Sequence, residues 1–262
     1  MDYTINVHGR LIDLSEPQVM GILNVTPDSF YAGSRKQTEK EIAERANQIM
    51  EQGGTMIDVG GYSTRPGAVE VAESEEMERL RFGLGIIRRE LPDCVISVDT
   101  FRPDVARMAV EEFGAGIIND VSEGGTEMYR MVSRLHTPYI LMSVQPTMRE
   151  MLLHFSKEVQ QLRNFGVKDI ILDPGFGFGK TLEQNYQVMC ELDKLQVMEL
   201  PCLVGVSRKS MIYKLLGVAA DEALNGTTVL NTIALMKGAS ILRVHDVREA
   251  VEAVIMVKAL NG

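Results

Sequence analysis

Eight times along this chain a short apolar, β-rich run recurs, and nearly every run ends on a polar or charged residue. The runs occupy residues 19–25, 56–60, 95–99, 116–120, 139–144, 170–173, 202–207 and 241–245. Between them lie segments with apolar residues at i, i+3, i+4 and i+7, as in 41–50, 76–91, 105–113, 128–135 and 182–195; this is the period of an amphipathic helix. Strict alternation of strand and helix builds a parallel sheet. Eight such units with no linker between them favour closure into a (β/α)8 barrel over an open doubly wound sheet. The expected fold is therefore α/β, one barrel domain over residues 1–262, with a hairpin at 4–14 around His8-Gly9-Arg10 capping its bottom.

A buried strand should stay apolar along its length. Asn24, Asp58, Asp99, Asn119, Asp120, Asp173, Ser207, His245 and Asp246 at successive strand ends thus imply one mouth where those ends converge. Two connections, 26–38 and 61–74, are longer than the two to six residues usual between strand and helix. Loops of that length at a barrel mouth cover or complete a site.

Composition narrows what the mouth binds. A net charge of −9 argues against DNA or RNA, which need broad basic surfaces, while small anions need only a few local donors. The four histidines are scattered and none stands at transition-metal spacing to Cys, Asp or Glu. No apolar run reaches the roughly 18 residues of a membrane span. The N-terminal residues carry no signal-peptide pattern, so a cytoplasmic location is expected. Cys94, Cys190 and Cys202 show no paired spacing and read as reduced fillers, and the 16 methionines as core packing.

Three constellations carry chemistry. Asn24 ends the first run, and Arg243 and His245 alternate at the end of the eighth, its neighbour in a closed barrel. A guanidinium fork, an imidazole and an amide suit a phosphate or pyrophosphate, with Mg2+ shared between the Asn24 oxygen and phosphate oxygens. A structural His capping its strand is the competing reading. Asp99, Asn119 and Asp173 aim carboxylates and an amide into one pocket, which is costly unless a ligand edge dense in N–H donors meets them. That suggests a flat heterocycle with a guanidine-like edge on Asp173. The alternative, Asp capping the next helix, applies to Asp99, which Thr100 and Pro103 follow. Third, Ser207-Arg208-Lys209-Ser210 opens a helix whose N–H groups, with Ser210 and Lys209, fit a carboxylate. The glycine run 173–180 has neither P-loop nor dinucleotide spacing and reads as a tight turn bringing Phe176 or Phe178 over the rim.

MGILNVTPDSF, STRPG, VDT, IND, DPGFGFGK, SRKS and RVHD, in this order over essentially the whole chain, resemble the dihydropteroate synthase family. The resemblance implies a barrel enzyme, a transferase of folate biosynthesis and the target of sulfonamides. It would join dihydropterin pyrophosphate to p-aminobenzoate by an SN1-like, Mg2+-assisted reaction. It implies that Asp99, Asn119, Asp173, Lys209 and Arg243 hold the pterin, and that Asn24, Arg65, Arg243 and His245 serve the pyrophosphate, with Asn24 on Mg2+. Thr64, Pro66, Phe178 and Ser210 would form the aminobenzoate site. Asn24, Lys209, Arg243 and His245 would be catalytic, in a homodimer. The apolar segments 228–236 and 251–260 exceed what one barrel needs to bury.

Two positions depart from the family pattern. Ala32 stands where a loop carboxylate is usual, and Ser143 where the fifth strand usually ends on His. A pterin-binding methyltransferase domain would share the acidic pocket, but it needs neither the STRPG loop nor the SRKS segment. A catalytically silent pterin-binding paralogue is the rival that Ala32 motivates.

Overall fold

The computed structural model describes residues 3–25, 35–62 and 71–261. Two antiparallel strands, β1 (Thr4–Val7) and β2 (Arg10–Asp13), form the expected hairpin. Eight parallel strands follow: β3 (Gln18–Asn24), β4 (Met56–Gly60), β5 (Val95–Asp99), β6 (Ile117–Asp120), β7 (Tyr139–Met142), β8 (Ile170–Asp173), β9 (Leu203–Val204) and β10 (Ile241–Val244). They are ordered β8-β7-β6-β5-β4-β3-β10-β9, and a parallel bridge between Leu172 and Cys202 joins the two outer strands. The barrel is nearly closed, as eight alternating units require.

Helices ring the barrel: α1 (Arg35–Glu51), α2 (Glu73–Glu90), α3 (Pro103–Phe113), α4 (Thr126–Leu135), α5 (Met148–Asn164), α6 (Leu182–Cys190), α7 (Ser210–Leu216), α8 (Leu224–Met236) and α9 (Val247–Asn261). Local chemistry sets several of their ends. Pro103 opens α3 where its missing N–H is no loss, and Gly114 closes it in the left-handed region at φ 62°. Thr181 and Gln184 form a capping box on α6. Helix α6 ends at Cys190 and a 3-10 helix takes over at Leu192–Met198, so the periodic stretch 182–195 is two elements. Among the described helices, none is long and apolar enough to cross a membrane.

Two apolar clusters divide the core. The outer one lies between strands and helices. The inner one stacks Met20, Met56, Ile117, Ile140, Ile171 and Ile241 inside the barrel and receives Ile5, Val7 and Leu14 from the hairpin region. The hairpin thus plugs the bottom, and polar side chains fill the barrel above this layer. Because strand side chains alternate in direction, Asp58 and Gly60 share the inward face of Met56, and Asn119 that of Ile117.

Candidate active site

Register brings the upper layer together: Asn24 pairs with Gly60, Gly60 with Asp99 and Asp99 with Asn119. A Cβ placed on Gly60 would lie 3.4 Å from Asn24 Oδ1 and 3.9 Å from Asp99 Oδ2. Glycine there keeps a space between two oxygen donors.

Asp58 lies in the middle of β4 rather than at its end and is fully buried. Its Oδ2 accepts hydrogen bonds from Arg243 Nε at 2.6 Å and Asn119 Nδ2 at 3.1 Å, while Asp99 Oδ2 accepts from Arg243 Nη2 at 2.9 Å. Arg243 therefore bridges two carboxylates. Holding Asn119 by its Nδ2 turns its carbonyl oxygen the other way. Asn119 Oδ1 and Asp58 Oδ1 are both buried without a protein partner among the described residues. Unpaired buried acceptors are costly and call for donors from a ligand. Asp99 does not cap α3, whose cap residue is Arg102.

Asp173 ends β8, nearly buried, and its Oδ1 accepts from Gly175 N–H at 2.8 Å. Beyond it, Gly175, Gly177 and Gly179 all take positive φ. A Cβ on Gly175 would lie 2.4 Å from the Ser143 carbonyl oxygen, so only glycine permits the turn. Lys180 Nζ donates to the carbonyls of Ser143 at 3.0 Å, Gly175 at 3.1 Å and Phe178 at 3.3 Å, pinning the turn to the end of β7. Phe176 is buried in the outer core, and Phe178 is the aromatic left at the rim.

Lys209, the N-cap of α7, sends its Nζ to the Phe176 carbonyl at 2.5 Å and over the Phe178 ring at 4.7 Å. Ser210 is the first residue of α7. Strand β9 is shorter than the run 202–207 suggests. Gly205 follows it, and a Cβ there would lie 3.8 Å from Arg243 Cβ and 3.9 Å from Lys209 Nζ, so this residue stands against both cations. His245 is held by Ser207, whose Oγ lies 3.0 Å from Nδ1 and accepts from the His245 backbone N–H at 3.1 Å.

Burial dominates the electrostatics. It pushes the Asp173 carboxyl up, against the opposing charge of Lys209 and the Gly175 N–H. Asp99 is likewise raised by burial, Arg243 working against it and Asp58 with it. Lys209 is pulled down to about 8 by burial, with Asp173 opposing. For Arg243, burial acts to lower the pKa, but Asp58 and Asp99 outweigh it and hold the guanidinium charged.

Asn24, Asp99, Asn119 and Arg243 thus lie at one mouth, and Lys209 meets Phe178 beside it, with Ser210 next in the chain. Thr64, Arg65, Pro66 and Ala32 lie outside the described residues. Asp120 departs from the expected mouth: it ends β6 facing outward, where Tyr139 Oη donates to it at 2.7 Å and Ser122 Oγ at 2.6 Å. Strand alternation explains this, since Asn119 and Asp120 cannot point the same way. Asp246 is also structural: Arg208 grips it with two 2.8 Å bonds, tying the last two loops together. Asp58 is the interior residue for which sequence reading assigned no role, though a carboxylate inside an apolar β4 was a signal.

Residues 20–245 match the family described as pterin binding enzyme. The chain is 42% identical to the dihydropteroate synthase of Escherichia coli strain K12, over 96% of this chain and 94% of the relative. Its fold is similar to that of Yersinia pestis dihydropteroate synthase in a sulfonamide drug complex, with a TM-score of 0.91, 38% identity and 99% of each chain covered. It is also similar to the Xanthomonas albilineans dihydropteroate synthase with 4-aminobenzoic acid, with a TM-score of 0.92, 33% identity, and 100% of this chain and 99% of that one covered.

Proposed function

The chain belongs to the pterin binding enzyme family, among the dihydropteroate synthases, and from that premise we propose how its residues divide the reaction. The enzyme condenses 6-hydroxymethyl-7,8-dihydropterin pyrophosphate with p-aminobenzoate to 7,8-dihydropteroate and pyrophosphate. The observation that carries the assignment to these residues is the buried acceptor set in the barrel. Among the described residues Asp58 Oδ1 and Asn119 Oδ1 lack protein partners, and Asp99 pairs with Asn119 in the sheet and shares Arg243 with Asp58. A pterin edge supplies the missing donors: its amino-pyrimidine N–H groups meet Asp173, and Asn119 and Asp99 take the other ring positions. Lys209 donates to the heterocycle from beside Phe178.

Arg243, His245, Asn24 and Arg65 serve the leaving group. The bond between the exocyclic carbon and the pyrophosphate oxygen breaks with its electron pair going to oxygen. The carbon is left as a cation delocalised into the pterin. The amine of p-aminobenzoate then attacks that carbon and loses a proton. No protein nucleophile is needed, and the protein's part is positioning and charge stabilisation. Thr64, Pro66, Phe178 and Ser210 hold the aminobenzoate; that the Xanthomonas relative is a complex with 4-aminobenzoic acid and the Yersinia relative one with a sulfonamide drug supports such a site.

Mg2+ fits the residues present. Asn24 is exposed at the end of β3, its Oδ1 facing the space that Gly60 leaves open. A hard cation takes oxygen donors and keeps bonds to substrate phosphates and water, so one amide oxygen suffices. Among the described residues no cluster of three His, Cys, Asp or Glu is placed to hold a metal. When bound, Mg2+ would neutralise charge on the departing pyrophosphate.

We further propose a cytoplasmic homodimer. Val229 and Met236 on α8 and Ile255, Met256 and Leu260 on α9 are 50–74% exposed, an apolar face suited to a second copy; a monomer in sedimentation at micromolar concentration would refute it. The function itself is tested by mixing pure protein with both substrates and Mg2+ and following pyrophosphate release. Pterin binding without release would identify a silent paralogue instead.

A further inference from the structure

Lys180 ends the glycine run and has no part in the reaction as proposed. Its ammonium donates to three carbonyl oxygens, those of Ser143, Gly175 and Phe178, at 3.0, 3.1 and 3.3 Å. Three acceptors that converge on one point make a site for a small cation, and an ammonium brings one donor to each. A guanidinium could not replace it, because its donors fan out in a plane. The chain thus fills this site with a cation of its own, from the residue that closes the turn.

The turn does not need that cation in order to bend. Phe178 N–H already donates to the Gly175 carbonyl at 3.1 Å, and Gly177 N–H to Asn185 Oδ1 at 2.7 Å. What Lys180 adds is the bond across to Ser143, beyond the end of β7. That anchor is itself held: Ser143 N–H donates to the Asp173 carbonyl at 2.9 Å, and Val144 N–H to Glu123 Oε1 at 2.9 Å. Lys180 therefore fixes where the turn stands against the barrel. Burial lowers its pKa to about 8, with Asp173 opposing, a desolvation cost that an apolar side chain in the same place would not carry.

The placement of the turn in turn governs Lys209. Its Nζ donates to the Phe176 carbonyl and lies 4.7 Å from the Phe178 ring centroid, and a Cβ on Gly177 would lie 3.1 Å from its Cδ. Three consecutive residues of the turn thus border one side chain. We propose that Lys180 is a positioning residue for Lys209: by tying the turn to the end of β7, it sets where the Lys209 ammonium meets the pterin. The proposal rests on the reading that Lys209 donates to the heterocycle.

A double-mutant cycle on pterin affinity tests it, read by calorimetric titration of a pterin ligand without turnover. Lys180→Met keeps an unbranched stem and removes the ammonium. The pterin Kd should weaken about tenfold, the scale of one lost hydrogen bond to a charged group. Lys209→Met should weaken it at least as much. In the Lys209→Met background, Lys180→Met should add less than about twofold, because a residue that acts through Lys209 then has nothing left to position. Losses that multiply in the double variant would overturn the proposal, as would unchanged affinity in Lys180→Met. A second arm does not depend on the Met variant folding. Lys180→Ala lacks three carbons and the ammonium, which n-propylammonium supplies. Added in excess, that amine should restore pterin affinity, whereas uncharged n-propanol should not. No restoration, or equal restoration by both, would refute the positioning role. If the wild type binds no pterin, the functional reading has failed; if it binds and the variants behave otherwise, the positioning role alone falls.

Discussion

Replacing Asp173 with Asn should separate stability from binding, because the carboxylate serves the two in opposite senses. Asp173 is 7% exposed, and burial raises its pKa. A carboxyl whose folded pKa is raised costs stability above its unfolded pKa, and that cost disappears as pH falls below it. Near neutral pH the Asn variant should therefore melt no lower than the wild type, since its Oδ1 can keep the 2.8 Å bond from Gly175. Binding goes the other way. With Oδ1 committed to Gly175, the other position presents Nδ2, a donor, to the N–H edge of the pterin. A lost hydrogen bond to a charged group is about 1.5–3 kcal/mol. At 1.4 kcal/mol per decade, one such bond corresponds to about a ten- to hundredfold weaker pterin Kd. Calorimetric titration of a pterin ligand, with a thermal melt of the same sample, reads both quantities. Unchanged affinity would remove Asp173 from the pocket, and a large drop in Tm with weak binding would make it a structural residue.

Three further outcomes are expected. Chelation should suppress turnover and Mg2+ should restore it, since the leaving group needs a hard cation on its oxygens; full activity in excess chelator would refute this. Pterin affinity should fall as pH rises through about 8, where buried Lys209 loses its proton. The same depressed pKa means that the folded protein sheds this proton before the unfolded chain does, so Lys209's burial penalty is relieved above pH ~8. A titration profile identical in wild type and Lys209→Met would exclude Lys209 as the titrating group. Asp58→Asn should cost roughly 3 kcal/mol of stability in denaturant unfolding, the low end for breaking a buried pair, because Arg243 retains Asp99. An unchanged midpoint would show that the Arg243–Asp58 bond is energetically idle.

The barrel was legible because its strands are buried on both faces, which makes them continuous apolar runs, and because the polar residues that interrupt those runs have no other place to go. The hairpin was legible from weak alternation around Gly9, although its function as an inner plug shows only when Ile5 and Val7 are seen beside Met20 and Met56. Direction was harder to read. Asn119 and Asp120 are adjacent, and nothing in the sequence tells which enters the barrel; the inward parity set by Ile117 decides it. Asp58 was visible as an anomaly but not as the acceptor for Arg243 and Asn119, because those partners stand 185 and 61 residues away. The helix starts at Arg35 and Glu73 fall inside the stretches 26–38 and 61–74 that read as loop, since charged first turns carry no apolar period.

The Arg243 fork also bears on the order of binding. Asp99 Oδ2 accepts from Arg243 Nη2, and the same carboxylate is the proposed acceptor for the pterin ring. A heterocycle donor reaching Asp99 competes with that bond, whereas the Nε bond to the fully buried Asp58 is out of its way. Arg243 then stays anchored at Nε while its Nη groups become available to a second anion, and the pyrophosphate attached to the pterin arrives in the same event. A pyrophosphate alone would have to displace Asp99 without offering it any donor in return. On this argument the pterin pyrophosphate binds as one unit before the amine, and aminobenzoate meets a site whose charge has already been rearranged. The cationic pterin intermediate would then form with the Asp58 and Asp99 carboxyl groups nearby, in a barrel whose low dielectric strengthens their effect.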